Sequence, residues 1–578
     1  MPEITAPSRS TWLWDILLLL LVVGTLFGYG LGDRALWEPD EGRYSDIPRE
    51  MVATGDYVTP RLNGVKYFEK PPLFYWAQAS AIQAFGLNEW ALRLWPALFA
   101  LFGVVTVYAA GRRLFDRRTG LLAASVLATS LLYYYLGRTI TLDMAVSVLL
   151  SAALFAFLLG TRAPAGGRRR WLMWTFYACA ALATLTKGLI GIVIPGMIIG
   201  TWILLLNNWR VLKEMYLPSG LILFLIIAAP WHVMVSEANP EFLNFYFIHE
   251  QFLRFTTNIH RRYEPMWFFL PVLLVGLLPW VAFLGQSLRF NLPVSWSDRH
   301  EYKETLFLTL WAVLVFAFFS ISDSKLVPYI LPMFPPLALL LGRYFAHAWT
   351  DDTLRGLRTG YWAVLGLGIA LAAILSGAPH SGVAYTKAVE YDEALSTYLY
   401  AGAAIAAISG IATFLLGMVR FRLAFIGLTL TSAVFLTVVS QGLPFMDSKN
   451  STKALALKLK PLLGPDTEVM SYHRYYQDLP VYLERRVTVV DYKGELEFGM
   501  ENGDVNGWMI DEDTFWQRWQ SKPTVYMLAK RSAYDQLVAD NRGRFILLAQ
   551  VGKHVLLTNN RLAQVGQNIP LTNNETQP

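Results

Sequence analysis

The chain has 578 residues, of which 54% are hydrophobic and 16% charged, with a formal net charge of +6 and a mean hydropathy of +0.36. Soluble domains carry about 25% charged residues, so this balance excludes an ordinary soluble protein and points to a membrane one. The single cysteine, Cys179, lies in an apolar run and excludes an intrachain disulfide or a thiolate metal cluster.

A spanning helix needs about 20 largely apolar residues. That length predicts about thirteen spans, at 13–31, 91–111, 119–136, 142–160, 171–186, 189–206, 217–235, 266–286, 305–320, 327–346, 361–377, 398–418 and 423–442. The first run has a Trp-rich start and no small-x-small cleavage site, so it reads as a retained helix rather than a signal peptide. The basic residues collect in short loops, such as RRLFDRR at 112–118 and RAPAGGRRR at 162–170. There they set topology and meet anionic headgroups, and nucleic-acid binding is not expected. With a cytoplasmic N-terminus, the loops 32–90, 137–141, 236–265, 321–326 and 378–397 fall outside, as does everything after Gly442. The tail, 443–578, shifts to strand-length apolar runs (468–472, 487–491, 524–528, 545–548, 555–557) alternating with helix-like stretches at 451–463 and 514–520. It reads as a small α/β domain. The expected architecture is a polytopic α-helical membrane domain, 1–442, with amphipathic juxtamembrane helices, followed by a soluble domain, 443–578.

Ionisable residues concentrate on the predicted outer side. The loop 32–90 holds Trp37-Glu38-Pro39-Asp40-Glu41-Gly42-Arg43-Tyr44 and later Tyr67-Phe68-Glu69-Lys70-Pro71-Pro72. An acidic pair after proline also suits a helix start, where carboxylates satisfy free N–H groups and oppose the helix dipole. An interfacial lysine also suits a snorkelling anchor. Asp143, in Arg138-Thr139-Ile140-Thr141-Leu142-Asp143, falls at the start of a span, where a carboxylate is costly and needs a cavity or a partner, Arg138 being the nearest cation. Lys187 sits in similar membrane-adjacent sequence. The loop 236–265 carries His249, Glu250 and Arg254 among aromatics, and Lys325 and Tyr329 mark the outer end of another span. Cations and carboxylates from separate parts of the chain, placed on one membrane face, suit an anionic, lipid-borne substrate. No Walker loop, GxGxxG, HExxH or GxSxG motif is present, so no nucleotide, nicotinamide, zinc-protease or serine-hydrolase reading competes.

Leu36–Tyr44, Gly55-Asp56-Tyr57, Tyr67–Pro72, Arg138 with Leu142-Asp143, and Lys325–Pro332 resemble the GT-C membrane glycosyltransferases of the protein O-mannosyltransferase superfamily. Within it the chain is most similar to the bacterial 4-amino-4-deoxy-L-arabinose (aminoarabinose) lipid A transferases, the ArnT family. The resemblance covers the membrane part and implies a GT-C fold in a bacterial inner membrane, with its active site, built by the outer loops 32–90 and 236–265, facing the periplasm. It implies transfer of aminoarabinose from undecaprenyl phosphate to a lipid A phosphate by a single inverting displacement, and resistance to polymyxin and other cationic peptides. Carried over by position, Asp40, Glu41 and Asp143 would be the catalytic carboxylates. Arg43, Tyr67, Lys70, Lys187, Arg254, Lys325 and Tyr329 would bind the lipid phosphate and substrate. Glu69 and His249 would share a divalent metal such as zinc, although nothing in the sequence requires a cofactor. A monomer is expected. The alternatives are a related transferase moving another polyprenyl-phosphate sugar, such as mannose, to protein or lipid, and a transporter of lipid-linked sugars. The transporter predicts mid-bilayer polar residues and a repeat, which the sequence lacks.

Overall fold

The structure, a computed structural model, describes residues 9–253, 264–351, 356–380 and 393–560. All thirteen stretches expected to span a membrane are helical, wholly or in part. Among the described residues nine helices are long and apolar enough to cross a bilayer: Thr11–Gly28, Glu89–Leu114, Leu142–Arg162, Leu217–Ala238, Lys303–Ile321, Val327–Ala348, Leu357–Gly377, Ala394–Val419 and Phe421–Asn450. A tenth candidate is the pair Phe269–Gly276 and Trp280–Asn291, bent by 101° at a break that holds Pro279, which has no N–H to donate.

Three expected spans differ. The stretch 119–136 divides into Arg117–Ala128 and Leu131–Leu136. At the break the Thr129 and Ser130 hydroxyls donate back to Ser125 O and Val126 O at 2.7 Å each, and the Trp280 indole donates to Thr129 Oγ1 at 3.0 Å. Such back-bonding competes with the helical ladder. Helix Gly167–Lys187 opens on three arginines, and Ile190–Leu206 has only 17 residues.

The chain folds as two compact units. One comprises Met1–Arg34, Tyr57–Thr59 and Phe68–Phe445, and the other Ala35–Asp56, Pro60–Tyr67 and Met446–Pro578. The reading of 1–442 as one domain is therefore corrected: most of 35–67 packs with the tail.

In the first unit, charge in apolar helices is paired. Asp15, 2% exposed, accepts from Arg112 Nη1 and Arg117 Nε at 2.7 Å and from the Tyr108 hydroxyl at 2.5 Å. The arginines expected only to set topology thus tie the first helix to Glu89–Leu114 through Arg112 and to Arg117–Ala128 through Arg117. Close helix crossing there needs small residues: a Cβ on Gly111 would stand 2.8 Å from Gly120 Cα.

In the second unit, the hairpin β1 (Arg61–Leu62) and β2 (Val65–Lys66) accompanies a six-stranded sheet of β3 (Glu468–Tyr472), β4 (Thr488–Val490), β5 (Met509–Ile510), β6 (Val525–Lys530), β7 (Ile546–Val551) and β8 (His554–Thr558). Its order is β5-β4-β3-β6-β8-β7, parallel from β5 to β6 and antiparallel thereafter. The buried residues of β3, β4, β6 and β8 pack with Phe515, Trp516 and Trp519 of helix Glu512–Ser521. The α/β reading of the tail holds; β5 has only two residues and leaves no periodic signal.

Helix Asp40–Thr54 belongs to this unit and ends on Gly55 in the left-handed region, φ 73°. It lies against the 477–478 backbone at Gly42, where a Cβ would stand 2.5 Å from Asp478 N and 2.6 Å from the Gln477 carbonyl carbon. Backbone cannot yield as a side-chain tip can. Gly42→Ala is expected to destabilise this unit by about 1–3 kcal/mol, measured as a lower melting temperature of the purified chain in detergent; an unchanged melting curve would show that the close approach is not needed.

Candidate active site

The candidate residues divide between the two units, and each set is built locally. In the second unit, residues 35–38 are tied to the tail backbone and side chains. Ala35 N and the Trp37 indole donate to the Asp447 carboxylate at 2.8 and 2.6 Å, Leu36 N donates to the Tyr482 hydroxyl at 2.7 Å, and Glu38 N donates to Asn450 O at 2.9 Å. These bonds position Asp40 and Glu41 in the first turn of their helix, as the dipole favours.

The two acids then part ways. Glu41 is buried and accepts from Trp37 N at 2.9 Å, so it takes the helix-start role. Asp40 keeps 47% of its side chain exposed while Arg43 Nη1 holds it at 2.9 Å. Arg43, 10% exposed, is shared: its Nε pairs with Glu495, whose other oxygen accepts from Gln477 Nε2 at 2.7 Å. Tyr67 and Tyr44 stand close enough to act on the Arg43 charge, Tyr44 with its ring centroid 5.8 Å away. Glu38 is 3.2 Å from Arg474 and shares a hydrogen bond with Asp478. Burial first, and the neighbouring Asp478 carboxylate second, raise Glu38 well above the usual carboxylate range. Asp478 also accepts from Ser451 Oγ and Thr452 N at 2.7 Å and from Thr452 Oγ1 at 2.8 Å.

In the first unit, Asp143 opens helix Leu142–Arg162 and Lys187 closes helix Gly167–Lys187, each at the end its charge prefers. Their side chains, each 13% exposed, form an ion pair, and Lys187 Nζ also sits 4.5 Å from the Tyr329 ring centroid. Arg138 is not the partner of Asp143. Its guanidinium donates to the carbonyls of Leu26, Phe27, Tyr29 and Gly30 at 2.6–3.4 Å, satisfying the end of the first helix. Lys70, buried, donates to Glu69 O at 2.7 Å and lies 3.7 Å from Glu250, whose other oxygen is 3.4 Å from His249 Nδ1. Lys325 Nζ donates to Glu264 O at 2.8 Å. Arg254 lies outside the described residues. Among the described residues, three metal-ligating side chains come together at one place, His473, Asp491 and Glu512 in the second unit, all partly or fully exposed; Glu69 and His249 belong to no such cluster.

Sequence reasoning named Glu250 beside His249 but did not single out Glu495 or Gln477, which nothing local marked in an ordinary polar tail.

Comparison with known proteins completes the picture. The family model for dolichyl-phosphate-mannose-protein mannosyltransferases matches residues 69–234, and the aminoarabinose transferase C-terminal domain matches 455–559. The crystal structure of ArnT from Cupriavidus metallidurans bound to undecaprenyl phosphate superposes with a TM-score of 0.81 at 28% identity, covering 96% of this chain and 99% of that one. Its apo form gives 0.83. The fold and these matches define a membrane glycosyltransferase of the GT-C class, using a polyprenyl-phosphate sugar donor. Among its relatives is the undecaprenyl phosphate-α-4-amino-4-deoxy-L-arabinose arabinosyl transferase of Erwinia tasmaniensis, 31% identical over 539 residues, 89% of this chain and 94% of that one. The Enterobacter sp. enzyme of the same name is 35% identical over 370 residues, 63% of this chain and 65% of that one. The chain belongs to this family of aminoarabinose transferases.

Two outcomes follow from the geometry. Asp143→Asn strands the Lys187 charge in a nearly closed site, which costs about 3–5 kcal/mol when a buried pair is broken. The variant should melt well below the parent, and the double variant Asp143→Leu/Lys187→Met should recover much of that loss without recovering transfer. Glu495→Gln should lower transfer by about tenfold by loosening Arg43, and adding it to Arg43→Ala should cost nothing further in a double-mutant cycle of transfer rates; additive losses would show that Glu495 acts independently of Arg43.

Proposed function

We propose that the protein moves 4-amino-4-deoxy-L-arabinose from undecaprenyl phosphate to a phosphate of lipid A, working as a monomer at the periplasmic face of a bacterial inner membrane. The observation that carries the assignment of roles is Asp40: it is accessible to substrate yet held by Arg43, which Glu495 holds in turn.

In this reaction the bond between C1 of the sugar and the donor phosphate oxygen breaks, and its electron pair leaves with undecaprenyl phosphate. An oxygen of the acceptor phosphate attacks C1 from the opposite side, inverting it. The second pKa of such a phosphate is about 6 by analogy with phosphoserine, so near neutral pH there is little proton to remove. Asp40 is then not chiefly a base. It orients the ammonium-bearing sugar or stabilises positive charge growing at C1. Fixed cations answer the negative charge growing on the leaving phosphate; Lys70, Lys187, Lys325 and Arg254 have that role, with Arg43, Tyr67 and Tyr329 as further substrate contacts. Asp143 pairs with Lys187 and places its ammonium, and Glu41 sets the helix start at Asp40. Were a divalent metal bound, Glu69 and His249 would be its protein ligands, and it would supply charge stabilisation at a phosphate oxygen. The added ammonium offsets phosphate charge and weakens the binding of polymyxin and other cationic peptides.

Asp40→Asn is expected to lose transfer by at least about 100-fold while still binding undecaprenyl-phosphate sugar. Mass spectrometry of lipid A from cells carrying each form reads the product, and parental turnover by the variant would exclude this role.

A further inference from the structure

The second unit carries a cleft of about 480 Å³, open to solvent, whose walls include Arg49, Glu50, Arg61, Lys66, Arg486 and Trp508. It lies within the range of sites for small organic ligands. Its lining carries four cations and two carboxylates, Glu50 and Asp504. Three of the cations have partners of their own: Arg49 pairs with Asp46 at 2.7 Å and Glu50 at 3.3 Å, Arg61 lies 3.8 Å from Asp56, and Lys66 is also engaged.

Arg486 differs. Its guanidinium carbon sits 4.1 Å from the centroid of the Trp508 ring, and Glu50 acts on its charge only from a distance, without an ion pair. The pose is built from both sides. The Trp508 indole is fixed by donating to Asn63 O at 2.9 Å. Opposite it, Gly64 at φ +80° leaves the slot open, since a Cβ there would stand 3.0–3.1 Å from Arg486 Cδ, Nε and Nη1. A guanidinium stacked on a ring keeps its in-plane donors for a planar or tetrahedral oxyanion, which it binds with two parallel hydrogen bonds. Glu50, pushed up to about 7 by burial and by the neighbouring Asp46 carboxylate, opposes an anion less than an ordinary carboxylate would.

We propose that this cavity binds a phosphorylated amino-sugar headgroup, with its phosphate on Arg486 and Lys66 and its hydroxyl and amino groups on Asp504 and Glu50. Naming that headgroup as part of the acceptor lipid rests on the reaction proposed above; the binding does not. The test uses the full-length chain in detergent and calorimetric titration with three probes: glucosamine 1-phosphate, glucosamine and inorganic phosphate. Glucosamine 1-phosphate is expected to bind saturably, inorganic phosphate more weakly and glucosamine not at all. Arg486→Gln should weaken the first by about tenfold with the melting temperature of the unliganded chain unchanged, whereas Trp508→Phe should weaken it and also lower the melting temperature, because the indole bond to Asn63 O is lost. Absence of saturable binding overturns the proposal. So does equal binding of inorganic phosphate, which would mark a plain anion site, and so does binding indifferent to Arg486→Gln. A chain that transfers normally but takes no probe sinks the cavity alone. One that takes the probe but transfers no aminoarabinose leaves the cavity standing and removes its assignment to the acceptor.

Discussion

Asn63 exchanges two hydrogen bonds with the backbone of Val487, donating from Nδ2 to its carbonyl and accepting its N–H on Oδ1, both at 2.9 Å. Its own N–H goes to Asp46 at 2.9 Å and its carbonyl takes the Trp508 indole. An amide side chain that is buried must have all its polar capacity answered, and here the answer comes from chain separated by 424 residues. With the Asp447 and Tyr482 contacts at residues 35–37, this pairing fixes the early segment to the tail's sheet. The placement of Asp40, the shared guanidinium of Arg43 and the walls of the basic cavity all depend on it. The C-terminal sheet is thus the frame on which part of the candidate active site is folded.

A second constraint governs the other unit. An ionised group removed from water is tolerated when an opposite charge and hydrogen bonds replace its hydration. Asp15 meets two arginines and a tyrosine, Asp143 meets Lys187, and Glu250 stands between Lys70 and His249. Neutral donors could not hold these carboxylates as cheaply. The same pairing fixes the ammonium groups of Lys187 and Lys70 in place.

Within the second unit, acids are treated in opposite ways. Glu38 is buried beside the Asp478 carboxylate, and burial and that neighbour push it well above the usual carboxylate range. Asp40, two residues on, is accessible and carries Arg43 beside it. Environment, not residue type, separates a buried carboxyl from an accessible one.

Much of this was legible in the sequence. Apolar runs of spanning length marked the membrane helices, and their collapse to strand length marked the tail, because burial imprints a local period on the chain. The cost of Asp143 was readable too, since its position at the head of an apolar run demanded a partner. Which partner was not readable. Arg138 lies close by in sequence and is consumed by the carbonyls that end the first helix, whereas Lys187 is 44 residues away and makes the pair. The break at Thr129 was likewise hidden, because it turns on an indole from Trp280. Glu495 carried no local mark at all, and the tail's grip on residues 35–67 reaches across 424 positions at Asn63. The sequence by itself determined the membrane class, the helical and sheet segments and the acids and cations available, because composition and periodicity act over a few turns of chain. Only the tertiary structure decided which of those charges meet, since an ion pair requires contact within about 4 Å, and packing alone brings distant residues that close.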